Sequence, residues 1–245
     1  MEVVRELFRY TAKVESENND GWTTLNNAVI DGHVEVVREL LQHGANVESA
    51  NKDGWTPLMS AAFHGHVEVV RELLKYGANV ESASKYGWTP LKCAAFNGKV
   101  EVVRELLKLD LNVESANNYG WTPLKDAAYH GHVEVVRELL KHGANVESAN
   151  NSGWTALKSA AFKGHVEVVR ELLNHGANVE SADKDGWTAL NSAAFHGHVD
   201  VVRELLQHGA NVKSANNSGW TPLDNAIYNR HEEVVEELLN YRANE

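Results

Sequence analysis

Thirteen histidines are the first residues of this chain that could do chemistry, as metal ligands or as proton carriers near neutral pH. Three close pairs stand out: His64-Gly65-His66, His130-Gly131-His132 and His196-Gly197-His198. A zinc site needs further ligands at suitable spacing, and none accompanies these pairs. The glycine between them reads as a helix stop, expected to aim the two rings apart. No metal and no other cofactor is therefore expected. Nucleophilic chemistry is no better supported. Trp55-Thr56-Pro57-Leu58 is not a nucleophile elbow, and no Ser/His/Asp or paired-carboxylate set stands apart from the periodic pattern of the chain. Ser60, Ser159 and Cys93 read as small helix residues. The chain is not expected to be an enzyme.

Recognition is the chemistry that remains, and composition limits what is recognised. The formal charge is -11 over 245 residues. A grip on nucleic acid normally needs a basic stripe, so none is expected. No apolar stretch approaches the ~18 residues of a membrane span. The opening Met1-Glu2-Val3-Val4-Arg5-Glu6 does not resemble a secretory signal. The single cysteine, Cys93, leaves no internal disulfide. A cytoplasmic location is expected on these grounds.

The elements that must position such a surface follow from repetition. Seven Gly-Trp pairs, from Gly21-Trp22 to Gly219-Trp220, recur every 33 residues without insertion and hold all seven tryptophans. A period of this length means stacked units that share one core. Six full repeats run 18–50, 51–83, 84–116, 117–149, 150–182 and 183–215. Residues 216–245 form a C-terminal capping repeat, rich in charge at Arg230, Glu232, Glu233, Glu236 and Glu237. Residues 1–17 match the second half of a unit and are expected to be an N-terminal half repeat. The whole of 1–245 then reads as a single solenoid.

Within the unit 51–83, Thr56-Pro57 starts a helix: a hydroxyl able to cap, then a ring whose missing N–H costs nothing at the first position. Leu58, Ala61 and Ala62 share its inner arc on a wheel of ~100° per residue, with Met59 and His64 on the flanks and Ser60 and Phe63 opposite. After Gly65 a second helix carries Val67, Val69, Val70, Leu73 and Leu74 inward, with Glu68, Arg71, Glu72 and Lys75 outward. Gly77 ends it, and Asn51-Lys52-Asp53-Gly54 supplies the turn.

Asp53-Gly54-Trp55-Thr56-Pro57-Leu58, Ala61-Ala62, Gly65-His66, Glu68-Val69-Val70, Leu73-Leu74 and Gly77-Ala78 together resemble the ankyrin repeat along nearly its whole length. The chain is similar also to designed ankyrin repeat scaffolds. The resemblance implies an all-α repeat solenoid with short β-hairpin fingers, whose first helices and fingers line a concave face. It also implies that the Gly-His histidines are structural. Three departures stand out. The histidine usual after Thr-Pro-Leu is Asn26, Met59, Lys92, Lys125, Lys158, Asn191 or Asp224 here, so its bracing bond is lost or rebuilt. Glutamate or lysine (Glu48, Glu81, Glu114, Glu147, Glu180, Lys213) replaces the asparagine that oxygenases hydroxylate in some members, and that modification is not carried over. Leu109-Asp110-Leu111 replaces a glycine turn, which requires either a positive φ at Asp110 or a different turn.

The face implied by the resemblance carries two aromatic lines, the tryptophans and Phe63, Phe96, Tyr129, Phe162, Phe195 and Tyr228, at the step of packed helices. These rings serve either a partner or the stacking of repeats. Variation between units is greatest at the finger tip, after the core leucine of the first helix, and at that helix's end. The candidate protein-binding residues are therefore Trp55, Met59, Phe63, His64, Tyr86, Trp88, Lys92, Phe96, Tyr119, Trp121, Lys125, Tyr129, His130, Trp154, Lys158, Phe162 and Lys163. The lysines Lys92, Lys125 and Lys158 are expected to form an exposed basic row suited to an acidic or polar segment of a protein partner. The expected function is a monomeric protein–protein interaction module. The alternative is an engineered or consensus-type scaffold with no natural partner.

Overall fold

The computed structural model describes residues 16–243. The half repeat expected over 1–17 therefore lies, but for Ser16 and Glu17, outside the described residues. The chain falls into two compact units, one ending at Asn118 and one beginning at Tyr119.

The first unit holds three helix pairs: α1 (Thr24–Ile30) with α2 (Val34–Gln42), α3 (Pro57–His64) with α4 (Val67–Lys75), and α5 (Pro90–Phe96) with α6 (Val100–Leu106). The second holds four: α7 (Pro123–His130) with α8 (Val133–Lys141), α9 (Ala156–Lys163) with α10 (Val166–Asn174), α11 (Ala189–His196) with α12 (Val199–Gln207), and α13 (Pro222–Tyr228) with α14 (Glu232–Ala243). Within each unit the first helices form one row and the second helices another. Thus α3 packs on α1, on α5 and on its own partner α4.

Each first helix begins where the sequence places it. Thr56 lies in extended conformation and its Oγ1 accepts the amide of Met59 at 3.3 Å, one of the four amides that a helix start leaves unpaired. Thr23, Thr89, Thr122, Thr155, Thr188 and Thr221 cap their helices in the same way. Proline follows directly in four of the seven, and Thr24, Ala156 and Ala189 serve in its place in the other three.

The core holds the expected residues: Leu58, Ala61, Ala62, Val69, Val70 and Leu73 are all fully buried. The first helix is buried more completely than a wheel with one inner arc allows. Met59 and Ser60 are enclosed too, because neighbours on three sides cover every position from Pro57 to Ala62. Only the last turn, Phe63 and His64, reaches solvent.

One further expectation is not met, and one left with two alternatives is decided. The fingers contain no β-ladder. Among the described residues the only bridge is an isolated one between Glu17 and Thr23. The finger is instead a turn held by one side chain. Asn51 Oδ1 accepts the amides of Asp53 and Trp55, both at 2.9 Å, and the Asn51 amide donates to the Trp55 carbonyl at 3.1 Å. The third repeat takes the different turn rather than a left-handed Asp110. Outside glycine, Arg230 alone among the described residues has a positive φ. Helix α6 stops after seven residues instead of nine, and the Leu109 amide donates to the Leu106 carbonyl at 3.0 Å.

The last pair has a mostly charged outer surface, with Glu232, Glu233, Glu236 and Arg242 exposed. It also exposes Ile227 and Leu239. No helix among the described residues is long and apolar enough to cross a membrane.

Candidate protein-binding face

The tryptophans stand at the base of each finger, and each meets the aromatic at the end of its own first helix. Trp55 and Phe63 lie 5.9 Å apart, Trp88 and Phe96 5.1 Å, Trp121 and Tyr129 5.4 Å, and Trp154 and Phe162 5.1 Å, edge-on or tilted. This is the arrangement that ring quadrupoles favour. Each of these rings is half-buried, so each aromatic braces its own repeat and keeps part of its surface in water. The rings also touch along the stack: Trp55 with Trp88 at 6.0 Å in the first unit, Tyr129 with Phe162 at 6.3 Å in the second. Stacking and display are thus combined in the same side chains.

Tyr86 and Tyr119 at the finger tips are 56% and 68% exposed. His64 and Lys163 are also exposed, and His130 is half-buried. The Lys163 ammonium bends back over the Tyr129 ring, 4.6 Å from its centre.

The lysine row is not on the surface. Lys92, Lys125 and Lys158 are 0%, 1% and 3% exposed, and Met59 at the same position is 0% exposed. Their place lies one residue after the core leucine, inside the three-sided enclosure of the first helix. It rebuilds the missing histidine bond. Asn26 Nδ2 donates to the Ser49 carbonyl, Lys125 Nζ to Ser148 and Asn191 Nδ2 to Ser214, each at 3.1 Å and each 23 residues further along. Lys158 instead pairs with Asp183, and its ammonium lies 4.6 Å from the Trp154 ring centre. Burial pulls the Lys158 pKa below the usual lysine value, and its hydrogen bond to the Asp183 carboxylate opposes that. An aliphatic stem ending in a donor suits such a site, which is why lysine and asparagine both serve there. Lys125→Ala is accordingly expected to cost about 1–3 kcal/mol, since it removes a buried charge-assisted hydrogen bond to the Ser148 carbonyl. Lys125→Met should recover the packing but not the bond. A loss under about 0.5 kcal/mol in denaturant melts, as at exposed sites, would place the ammonium in water.

The histidine pairs also depart from expectation. Their rings do not diverge: His64 and His66 stack at 5.9 Å, as do His130 with His132 and His196 with His198. Their ring nitrogens are used for structure. His64 Nδ1 donates to the Ser60 carbonyl and His66 Nε2 to Ile30, both at 2.9 Å. His165, His198 and His231 make the same tie to the preceding repeat, reaching Tyr129, Phe162 and Phe195. Among the described residues no group of three or more potential metal ligands comes together.

Glutamates absent from the candidate residues hold the opposite edges. The Glu48 carboxylate accepts the Asn79 amide at 2.8 Å and the Ser82 hydroxyl at 3.0 Å, and Glu147 and Glu180 repeat this one unit on. On the second helices Arg38 pairs with Glu72 and Arg71 with Glu105, both at 3.2 Å. Glu72, expected outward, is buried there. Hydrogen bonds from Arg38 and then Lys75 hold its carboxyl below the usual carboxylate range.

The family model for ankyrin repeats (3 copies) matches residues 1–84, 81–150, 112–183, 147–216 and 180–245. The chain belongs to the ankyrin repeat family. Among solved structures it is similar to the human ASB11 ankyrin repeat domain, with 28% identity and a TM-score of 0.83 over 90% of this chain and 98% of that one. No curated protein matches the chain at a significant level. Ankyrin repeats are in general protein–protein interaction modules.

Proposed function

We propose that this ankyrin repeat chain binds a protein partner as a monomer, through its finger tips and the ends of its first helices, and performs no chemistry of its own. The observation that carries the reading is the exposure of Tyr86 and Tyr119 beside half-buried aromatic pairs. Rigid rings with one face packed and one wet lose little entropy on binding and are favoured as interface anchors. The uninterrupted 33-residue period supports reading 1–245 as one solenoid with a half repeat at its start.

An acidic partner segment no longer has support, because the lysines that suggested it are enclosed. The finger tips offer Asp53, Tyr86, Tyr119, Ser152 and Asp185 instead, on a chain of net charge -11. A polar or basic segment fits that surface better.

A photo-crosslinking amino acid at position 86 or 119 should capture the partner in cells, while one at Arg71, on a second helix, should not. With the captured partner purified, Tyr86→Ala and Tyr119→Ala should speed dissociation and Arg71→Ala should be silent. Labelling from position 71 but from neither finger would put the working surface on the second helices.

A further inference from the structure

Between the fifth and sixth repeats, within the second unit, lies an open cleft of about 290 Å³. Trp154 and Phe162 form one wall and Trp187 and Phe195 the other. Each pair is locked ring to ring, at 5.1 Å and 5.4 Å, and all four rings are half-buried, so the cleft is preformed. Such walls attract a cation through their negative faces.

The charge around them has the same sign. Lys158 at the floor is balanced by Asp183. Asp185 at the rim is exposed and forms no ion pair among the described residues. The sixth repeat is distinctive here. The Asp183 position holds asparagine or serine in the others (Asn18, Asn51, Ser84, Asn117, Asn150, Asn216), and no other repeat has a carboxylate at both finger positions. Two carboxylates against one ammonium leave the cleft with a net negative charge.

The preceding step shows what such a site accepts. There the chain's own Lys163 lies 4.6 Å over Tyr129 and 5.6 Å from Phe162. One repeat later the corresponding residue is His196, edge-on to Phe162 at 4.3 Å. Burial, then the nearby His198, His231 and Lys163, keep its pKa below the usual histidine value, which favours the neutral ring. The wall of Trp154 and Phe162 already has Lys158 and Lys163 near its rings, whereas among the described residues Trp187 and Phe195 have no ammonium over them.

We infer that this cleft receives an arginine side chain from a basic segment of the protein partner. A guanidinium is flat enough to lie on the rings while its N–H fork reaches Asp185, which an ammonium matches less well. The inference rests on the binding reading above and names the chemistry of one contact.

The capped pentapeptide Gly-Ser-Arg-Ser-Gly, titrated while indole N–H signals are followed by NMR, tests it. The Trp154 and Trp187 signals should shift saturably, and the citrulline peptide should bind roughly tenfold more weakly. Asp185→Asn should weaken the arginine peptide by a similar factor. His196→Lys, which copies the residue already tolerated at 163, should supply the cation internally and abolish binding. Equal binding of the citrulline peptide, unshifted Trp154 and Trp187 signals, or full binding by His196→Lys would each overturn the assignment. If the peptide fails while crosslinking from positions 86 and 119 still captures a partner, only the arginine contact falls. If both fail, the binding face falls with it.

Discussion

Leu73→Ala is expected to lower the unfolding free energy by about 2–5 kcal/mol. Leu73 is fully buried on α4, between the second helices of the repeats before and after it. Truncation removes three carbons from contact and leaves a cavity that cannot close easily. Both neighbouring helices are tied to α4 by the Arg38–Glu72 and Arg71–Glu105 pairs that flank the site. Arg71→Ala on the same helix should cost far less, because its pairs stand partly in water where ion pairs contribute little. Denaturant melts of the two variants decide the matter. Losses of similar size would mean that the inner and outer surfaces of α4 have been confused.

The second large effect concerns a glycine whose neighbour is a histidine. Gly131 has φ +77°, and a Cβ built there would sit 2.7 Å from His165 Nδ1. That ring cannot simply swing away, since its Nε2 donates to the Tyr129 carbonyl at 3.1 Å. Gly131→Ala therefore combines the left-handed cost of about 1–2 kcal/mol with the loss of a tie of about 0.5–1.5 kcal/mol, roughly 1.5–3.5 kcal/mol together. Gly143→Ala isolates the first contribution. It has φ +86° but nothing within 4 Å of its Cβ, so about 1–2 kcal/mol is expected. Equal losses for the two would show that the ring yields freely and that the Gly-His pair is not a joint between repeats.

Much of this architecture is legible residue by residue because it is local. Thr56 announces a cap, Gly65 a stop, and the Val69-Val70-Leu73 spacing an inner face, each from within one turn of helix. What the sequence hides depends on neighbours a whole repeat away. A wheel gives a helix one buried arc, so Met59 and Lys125 look peripheral and Glu72 looks solvated. Stacking then covers the first helix on three sides and brings Arg38 onto Glu72. The histidine pairs mislead for a similar reason. The wheel ends at the glycine, and it is the left-handed turn at Gly65 that returns His66 alongside His64. The aromatic lines were visible, but the carboxylates of the sixth repeat join them only through a finger from the next unit.

The ties between repeats have constant reach. Glutamate finds an amide 31 residues on, arginine a carboxylate 34 on, and histidine a carbonyl 36 back. A segment of one full period, copied in phase, carries its own half of every tie at both ends, so the new junction is chemically the same as the old one. A single added residue would instead put every bond across that junction out of register. Lengthening by recombination between copies is therefore neutral at the joints, and selection is left to act on the side chains of the finger tips, because a tip such as Asp53 or Tyr86 is bound to the next copy through its backbone carbonyl, whatever side chain it carries.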